Sequence, residues 1–105
     1  MEWVDVAAVE ALSPGNHVVV DVDGVEVAVF NVAGRILAVE DRCSHDGGCL
    51  AGGAVEGEDI VCPRHGARFS LVTGAALTAP AYEPIAVFPT RVDNGTIQVR
   101  DARWD

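Results

Sequence analysis

A chain of 105 residues is enough for one domain with one modest core, and half of its residues are hydrophobic, so a folded state is expected. Sixteen acidic residues against seven basic ones, with no lysine, give a formal charge of -9, which argues against a nucleic-acid backbone as partner. No apolar run reaches transmembrane length, and the start Met1-Glu2-Trp3-Val4-Asp5 lacks the basic-then-apolar layout of a secretory signal, so the expected location is the cytoplasm, with no membrane partner.

Trp3 to Val6 can begin a strand, and Ala7 to Leu12 reads as a short helical turn ended by Ser13-Pro14-Gly15. His17 to Val22 is β-rich, Asp23-Gly24 is a hairpin signal, and Val25 to Asn31 is the returning strand. Ala33-Gly34 marks the next turn and Arg35 to Glu40 the next strand, so the first forty residues form an antiparallel meander. From Asp41 to Gly57 the chain turns glycine-rich and acidic. Asp59 to Val61 is a very short strand, Arg68 to Leu71 is another, and Thr73-Gly74 is a turn. Pro80, Pro84 and Pro89 punctuate an extended stretch with a strand at Ile85 to Phe88. Asp93-Asn94-Gly95 turns into a closing strand, Thr96 to Arg100, and the tail is ordered if Trp104 packs. The expectation is an all-β fold of short antiparallel strands, with a smaller lobe carrying the loops between them. No Gly-x-Gly-x-x-Gly follows a strand, so there is no nucleotide fingerprint.

Two of those loops carry chemistry. Cys43-Ser44-His45 and Cys62-Pro63-Arg64-His65 each offer one thiolate and one imidazole, with sixteen residues between His45 and Cys62. Such a set suits a two-iron, two-sulfide centre with both cysteines on one iron and both histidines on the other. The thiolates stabilise ferric iron, and the neutral imidazoles make their iron the easier one to reduce. The oxidised centre then carries no net charge and the reduced one a single negative charge, which backbone N–H groups near Gly47, Gly48 and Gly66 can accommodate. A structural zinc site is the competing use of the same side chains, but it favours C-x₂₋₄-C with H-x₃₋₅-H spacing, whereas both half-sites here are mixed. Cys49 is left as a free thiol, expected to serve as a small buried hydrophobe.

With these motifs the chain resembles a Rieske-type [2Fe-2S] ferredoxin of the kind found in multicomponent aromatic-ring-hydroxylating dioxygenase systems. The resemblance implies one domain over residues 1–105, a β-sandwich base, and a cluster lobe over about 41–82. It implies that Cys43 and Cys62 hold the inner iron, that His45 and His65 hold the outer one, and that Pro80 lies in a third loop shielding the cluster. It implies a flavoprotein reductase and a terminal oxygenase as redox partners, and a carrier that is monomeric when free. Relatives in respiratory complexes carry an extra cysteine in each loop, joined by a disulfide; here Arg64 takes the place of one, and Cys49 falls one residue late for the other. Those relatives also place a serine and a tyrosine where this chain has Ala67 and Phe69, and losing these donors implies a low potential.

The remaining candidates have ordinary readings. His17 is expected to pack at a strand edge, and Trp3 and Trp104 against the base. Asp41 and Arg42 are expected to fix the first loop. Arg64 divides between an ion pair and partner docking, while Arg68 is expected to be structural. Asp46, Glu56, Glu58 and Asp59 read as an acidic patch able to steer docking. With His45 and His65 used, only His17 remains, which is too few for the mononuclear iron site of a terminal oxygenase. An electron carrier is therefore expected, not an enzyme. The alternatives are the small subunit of an NAD(P)H nitrite reductase, a ferredoxin for another monooxygenase, and a zinc module.

Overall fold

The structure, a computed structural model, describes residues 2–103. Among the described residues ten strands run in chain order: β1 (Val4–Ala8), β2 (His17–Val22), β3 (Val25–Val32), β4 (Arg35–Glu40), β5 (Val55–Glu56), β6 (Asp59–Val61), β7 (Arg68–Ser70), β8 (Val87–Phe88), β9 (Thr90–Asp93) and β10 (Thr96–Val99). A single 3-10 turn at Val9–Ala11 follows β1, inside the stretch expected to be helical. The strands form three antiparallel sheets, in the orders β1-β10-β9, β2-β3-β4-β8 and β5-β6-β7.

The four-stranded sheet is the middle layer, and strand periodicity explains why. Along β3, Val27 and Val29 join Ala38, Phe88, Ile97 and Val99 in one core against the β1-β10-β9 sheet. The alternate residues Ala28 and Phe30 join Leu37, Val39, Cys43, Cys62 and Phe69 in a second core beneath the small lobe. A strand buried on both faces has to read as a nearly unbroken apolar run, as Val25–Val32 does. The two loops bearing Cys43 and Cys62 are thus rooted in the same apolar layer as one face of the central sheet.

Two-residue hairpins set the register, three of them in the two larger sheets. The pairs Val22↔Val25, Val32↔Arg35 and Asp93↔Thr96 leave Asp23-Gly24, Ala33-Gly34 and Asn94-Gly95 as the loops. Both residues of each loop have positive φ, the mirror-type turn that matches strand twist.

Three strands depart from the sequence reading. Val55–Glu56 forms β5 inside the stretch read as glycine-rich loop, pairing with β6. The strand expected at Ile85 to Phe88 shortens to β8, because the Ile85 amide donates instead to the Gly74 carbonyl (2.9 Å). After Pro89, which has no N–H to donate, the chain leaves the central sheet and Thr90–Asp93 pairs with β10 in the other one. Trp3 lies beside that outer sheet, with the guanidinium of Arg91 4.3 Å from its ring centroid, consistent with packing on the base. The packing expected of Trp104 lies outside the described residues.

Candidate metal centre

The two motif loops close by the same backbone pattern. Cys43 N–H donates to Gly48 C=O (2.7 Å) and Gly47 N–H to Cys43 C=O (2.8 Å); Cys62 N–H donates to Ala67 C=O (2.8 Å) and Gly66 N–H to Cys62 C=O (3.0 Å). The glycine four residues after each cysteine sits at φ near +77°, which a side chain would disfavour (Gly47 +76°, Gly66 +77°). That shared cysteine-to-glycine spacing is visible in the sequence and is the signal that pairs the loops as equivalents.

Both thiols are buried, Cys43 fully and Cys62 almost so, and both are free. The histidines lie outward of them: His45 is exposed and His65 half-buried, with rings edge-to-face at 4.8 Å between centroids. His65 Nε2 is 3.6 Å from Cys62 Sγ and 3.7 Å from Cys43 Sγ. The ligand atoms of Cys43, Cys62 and His65 all lie within 4.8 Å of one another, and His45 joins them through its ring contact with His65. Burial pushes the Cys43 thiol up, opposed by the backbone N–H groups of His45 and Asp46. Such amides favour sulfur that carries negative charge.

A third loop covers the first. Ser44 Oγ donates to Glu83 C=O (2.6 Å), and Ala81, next to Pro80, is buried in the same core as the two cysteines. This loop is itself pinned at Gly74, where a Cβ would come within 2.1 Å of the Ile85 carbonyl oxygen.

Other residues resolve as follows. Asp41 fixes the first loop as expected: its buried carboxylate accepts the amides of Leu50 (2.8 Å) and Ala51 (2.7 Å). Cys49 is not the buried hydrophobe expected of it; it is exposed, because Leu50 takes the core position and is fully buried. The Cys49 thiol faces the carboxylates of Asp41 and Glu26, and the charge of Asp41 pushes it up. His17 is exposed and packs its ring 5.7 Å from that of its cross-strand partner Phe30. The acidic patch is not a free field of charge. Asp46 pairs with Arg64 (2.6 Å), Glu58 with Arg35 (2.6 Å), and Glu56 with Arg68, which also reaches Asp59 at 4.0 Å. The pairs of Arg64 and Arg68 realise the local ion pairs weighed for them with Asp46, Glu56 or Glu58; the pair Arg35–Glu58 was not foreseen, because it depends on how β4 and the β5-β6 turn come together. The Arg64 guanidinium beside Asp46 holds that carboxyl below the usual carboxylate range.

Residues 2–89 match the sequence model of the Rieske [2Fe-2S] domain. The chain belongs to the Rieske family. Among relatives of this Rieske protein is the ferredoxin component of the naphthalene 1,2-dioxygenase/salicylate 5-hydroxylase systems of Ralstonia sp, 34% identical over 98 residues, covering 93% of this chain and 94% of that one. The solved ferredoxin of carbazole 1,9a-dioxygenase from Nocardioides aromaticivorans IC177 is 34% identical, with a TM-score of 0.89 over 95% of this chain and 98% of the other. A chain in the complex of reduced oxygenase and oxidised ferredoxin in carbazole 1,9a-dioxygenase is 33% identical, with a TM-score of 0.87 over 93% and 92%. Like these ferredoxins, the Rieske protein is an electron-transfer component, not an enzyme by itself. Its cofactor is a Rieske-type [2Fe-2S] cluster. The donor set fits such a group: two buried free thiols stand beside His65, whose Nδ1 is buried with no hydrogen-bond partner.

Proposed function

We propose that this Rieske protein carries single electrons from an NAD(P)H-dependent flavoprotein reductase to the terminal oxygenase of an aromatic-ring-hydroxylating dioxygenase system. Cys43 and Cys62 hold the inner iron, and His45 and His65 the outer one. The observation that carries the reading is the depth order of these four groups: both thiols are in the core, and both imidazoles lie outward with one ring exposed. When bound, the cluster supplies a one-electron couple. The chain supplies buried thiolates, two neutral imidazoles, amides directed at Cys43 sulfur, and an apolar floor that keeps water from the inner side. The exposed His45 edge gives partners their approach. The relatives support the oxygenase as partner, since one is a ferredoxin component of a dioxygenase system and another is a ferredoxin seen together with an oxygenase.

Residues 1–105 act as one domain, with 41–82 as the cluster lobe, in a carrier that is monomeric when free. Of its larger exposed apolar side chains, Val9, Val19, Val55 and Val92 lie on four different elements and only Leu77 and Tyr82 share a segment, the connection between β7 and β8, which supports the monomer. Among the described residues no helix is long and apolar enough to cross a membrane. We place the protein in the cytoplasm, where its three free cysteines stay reduced.

The potential is low. Ala67 and Phe69 are fully buried in the core that holds Cys43 and Cys62, and neither offers a hydroxyl to the sulfurs. The expected potential is near the lower end of the span of about -150 to +300 mV known for Rieske centres. Anaerobic spectroelectrochemical titration with iron and sulfide assay tests the reading. Two irons, two sulfides and a reversible couple below about 0 mV support it. A colourless protein with one zinc, or a potential above about +100 mV, overturns it.

A further inference from the structure

The two ligand loops close on themselves, and all three cysteines are free, so no disulfide joins one loop to the other. Beside the contacts of the His65 ring, three hydrogen bonds of Arg64 cross between them. Its Nε donates to Asp46 Oδ2 (2.6 Å), its Nη2 to Asp46 Oδ1 (3.0 Å), and its Nη1 to the Cys49 carbonyl (2.8 Å). All three guanidinium nitrogens of a residue in the second loop are thus spent on the first. The receiving carboxylate is set in advance, because Gly48 N–H donates to Asp46 Oδ1 at 2.9 Å. Its other oxygen also lies 3.2 Å from His65 Nε2, so the strap reaches one of the imidazoles directly. Gly48 makes room for it: a Cβ there would come within 2.5 Å of Arg64 Cζ and 2.6 Å of Nη2.

We propose that Arg64 is a positioning residue that straps the two ligand loops together across the mouth of the cluster site, with Gly48 as the bare surface on which its guanidinium lies. The proposal rests on the ligand assignment above. A lone exposed ion pair contributes little to stability. A bidentate fork onto a preset carboxylate, with a further bond to a backbone carbonyl, is the geometry in which such a pair restrains both sides. Lysine keeps the charge but not the fork, and so cannot hold both contacts.

The test uses the holoprotein and two independent ways of removing the strap. Arg64→Met deletes it. Gly48→Ala displaces it, at a glycine whose φ is not positive and whose backbone therefore accepts alanine. Both variants are expected to lose cluster absorbance to a ferrous chelator about tenfold faster than the native protein, with shifted EPR g-values of the reduced cluster as His65 is released. Arg64→Lys is expected to fall between, and the double variant to be no worse than Arg64→Met alone, since both changes remove one contact. Native release rates and g-values in both single variants, or additive effects in the double one, overturn the strap. Cys62→Ser is run alongside: if it keeps an unaltered cluster, the ligand assignment fails, whereas a cluster-free Cys62→Ser beside unaffected Arg64 variants sinks the strap alone.

Discussion

At the scale of single residues, the loop that carries Cys43 and His45 depends on one carboxylate. Asp41 accepts two amides, those of Leu50 and Ala51, and this pair of hydrogen bonds sets Leu50 into the core and leaves Cys49 facing outward. Removing it leaves two donors short of a partner, one of them buried. Asp41→Ala is therefore expected to lower unfolding stability by about 2–3 kcal/mol, the cost of unsatisfied buried donors once bound to a charged group. Asp41→Asn keeps one acceptor oxygen and is expected to lose less. Urea unfolding of the holoproteins measures both, and an Asp41→Ala midpoint equal to native would show that the amides find water instead. Cys49 illustrates why such detail escaped sequence reasoning. A cysteine next to a leucine in a cluster loop reads as apolar filling, and only the hydrogen bonds of Asp41 decide which neighbour turns inward.

At the scale of elements, the hairpins were the most legible part of the chain. Asp23-Gly24 and Asn94-Gly95 place residues that tolerate positive φ ahead of glycine. Ala33-Gly34 makes the same turn with a residue that does not, since Ala33 holds φ +53°. Ala33 is exposed, so a longer polar side chain meets solvent. Ala33→Asn is expected to stabilise the protein by about 1 kcal/mol, read as a higher denaturant midpoint. An unchanged or lower midpoint would mean that the turn carries no strain. The Rieske family was equally legible, because the two Cys/His motifs write their chemistry in residue type and spacing. β5 and β9 were not. Two-residue and proline-flanked strands have too few alternations for a period to show, and their partners are chosen by the folded sheet. Ion pairs of Arg64 and Arg68 with this acidic patch were legible as a class, but which carboxylate each takes, and the pair Arg35–Glu58, were not, because charge counting carries no distances.

At the scale of the whole molecule, the outer and central sheets must stay together for the two Cys/His loops to keep their apolar floor, and the C-terminal segment contributes to that. Asp101 follows β10 of the outer sheet and is buried, although it is a carboxylate. Arg103 binds it through Nη2 (2.6 Å), Nε (2.8 Å) and its own amide (3.0 Å), and lays its guanidinium 5.5 Å from the ring centroid of Phe88 in the central sheet. The Arg103 guanidinium holds the Asp101 carboxyl down at about 2, against about 4 in an unfolded chain. A depressed folded value means that the unfolded state binds the proton first as pH falls. The stabilisation is therefore fully present above about pH 4 and fades as pH drops toward 2. Asp101→Asn lacks the titrating group and is expected to be less stable than native at pH 7, with the gap between their urea midpoints narrowing as pH falls from about 5 to about 3. Both proteins carry the same cluster, so its own acid sensitivity cancels in the comparison. A gap that stays constant over that range would show that the segment is held by packing of Arg103 on Phe88, with the charge of Asp101 contributing nothing.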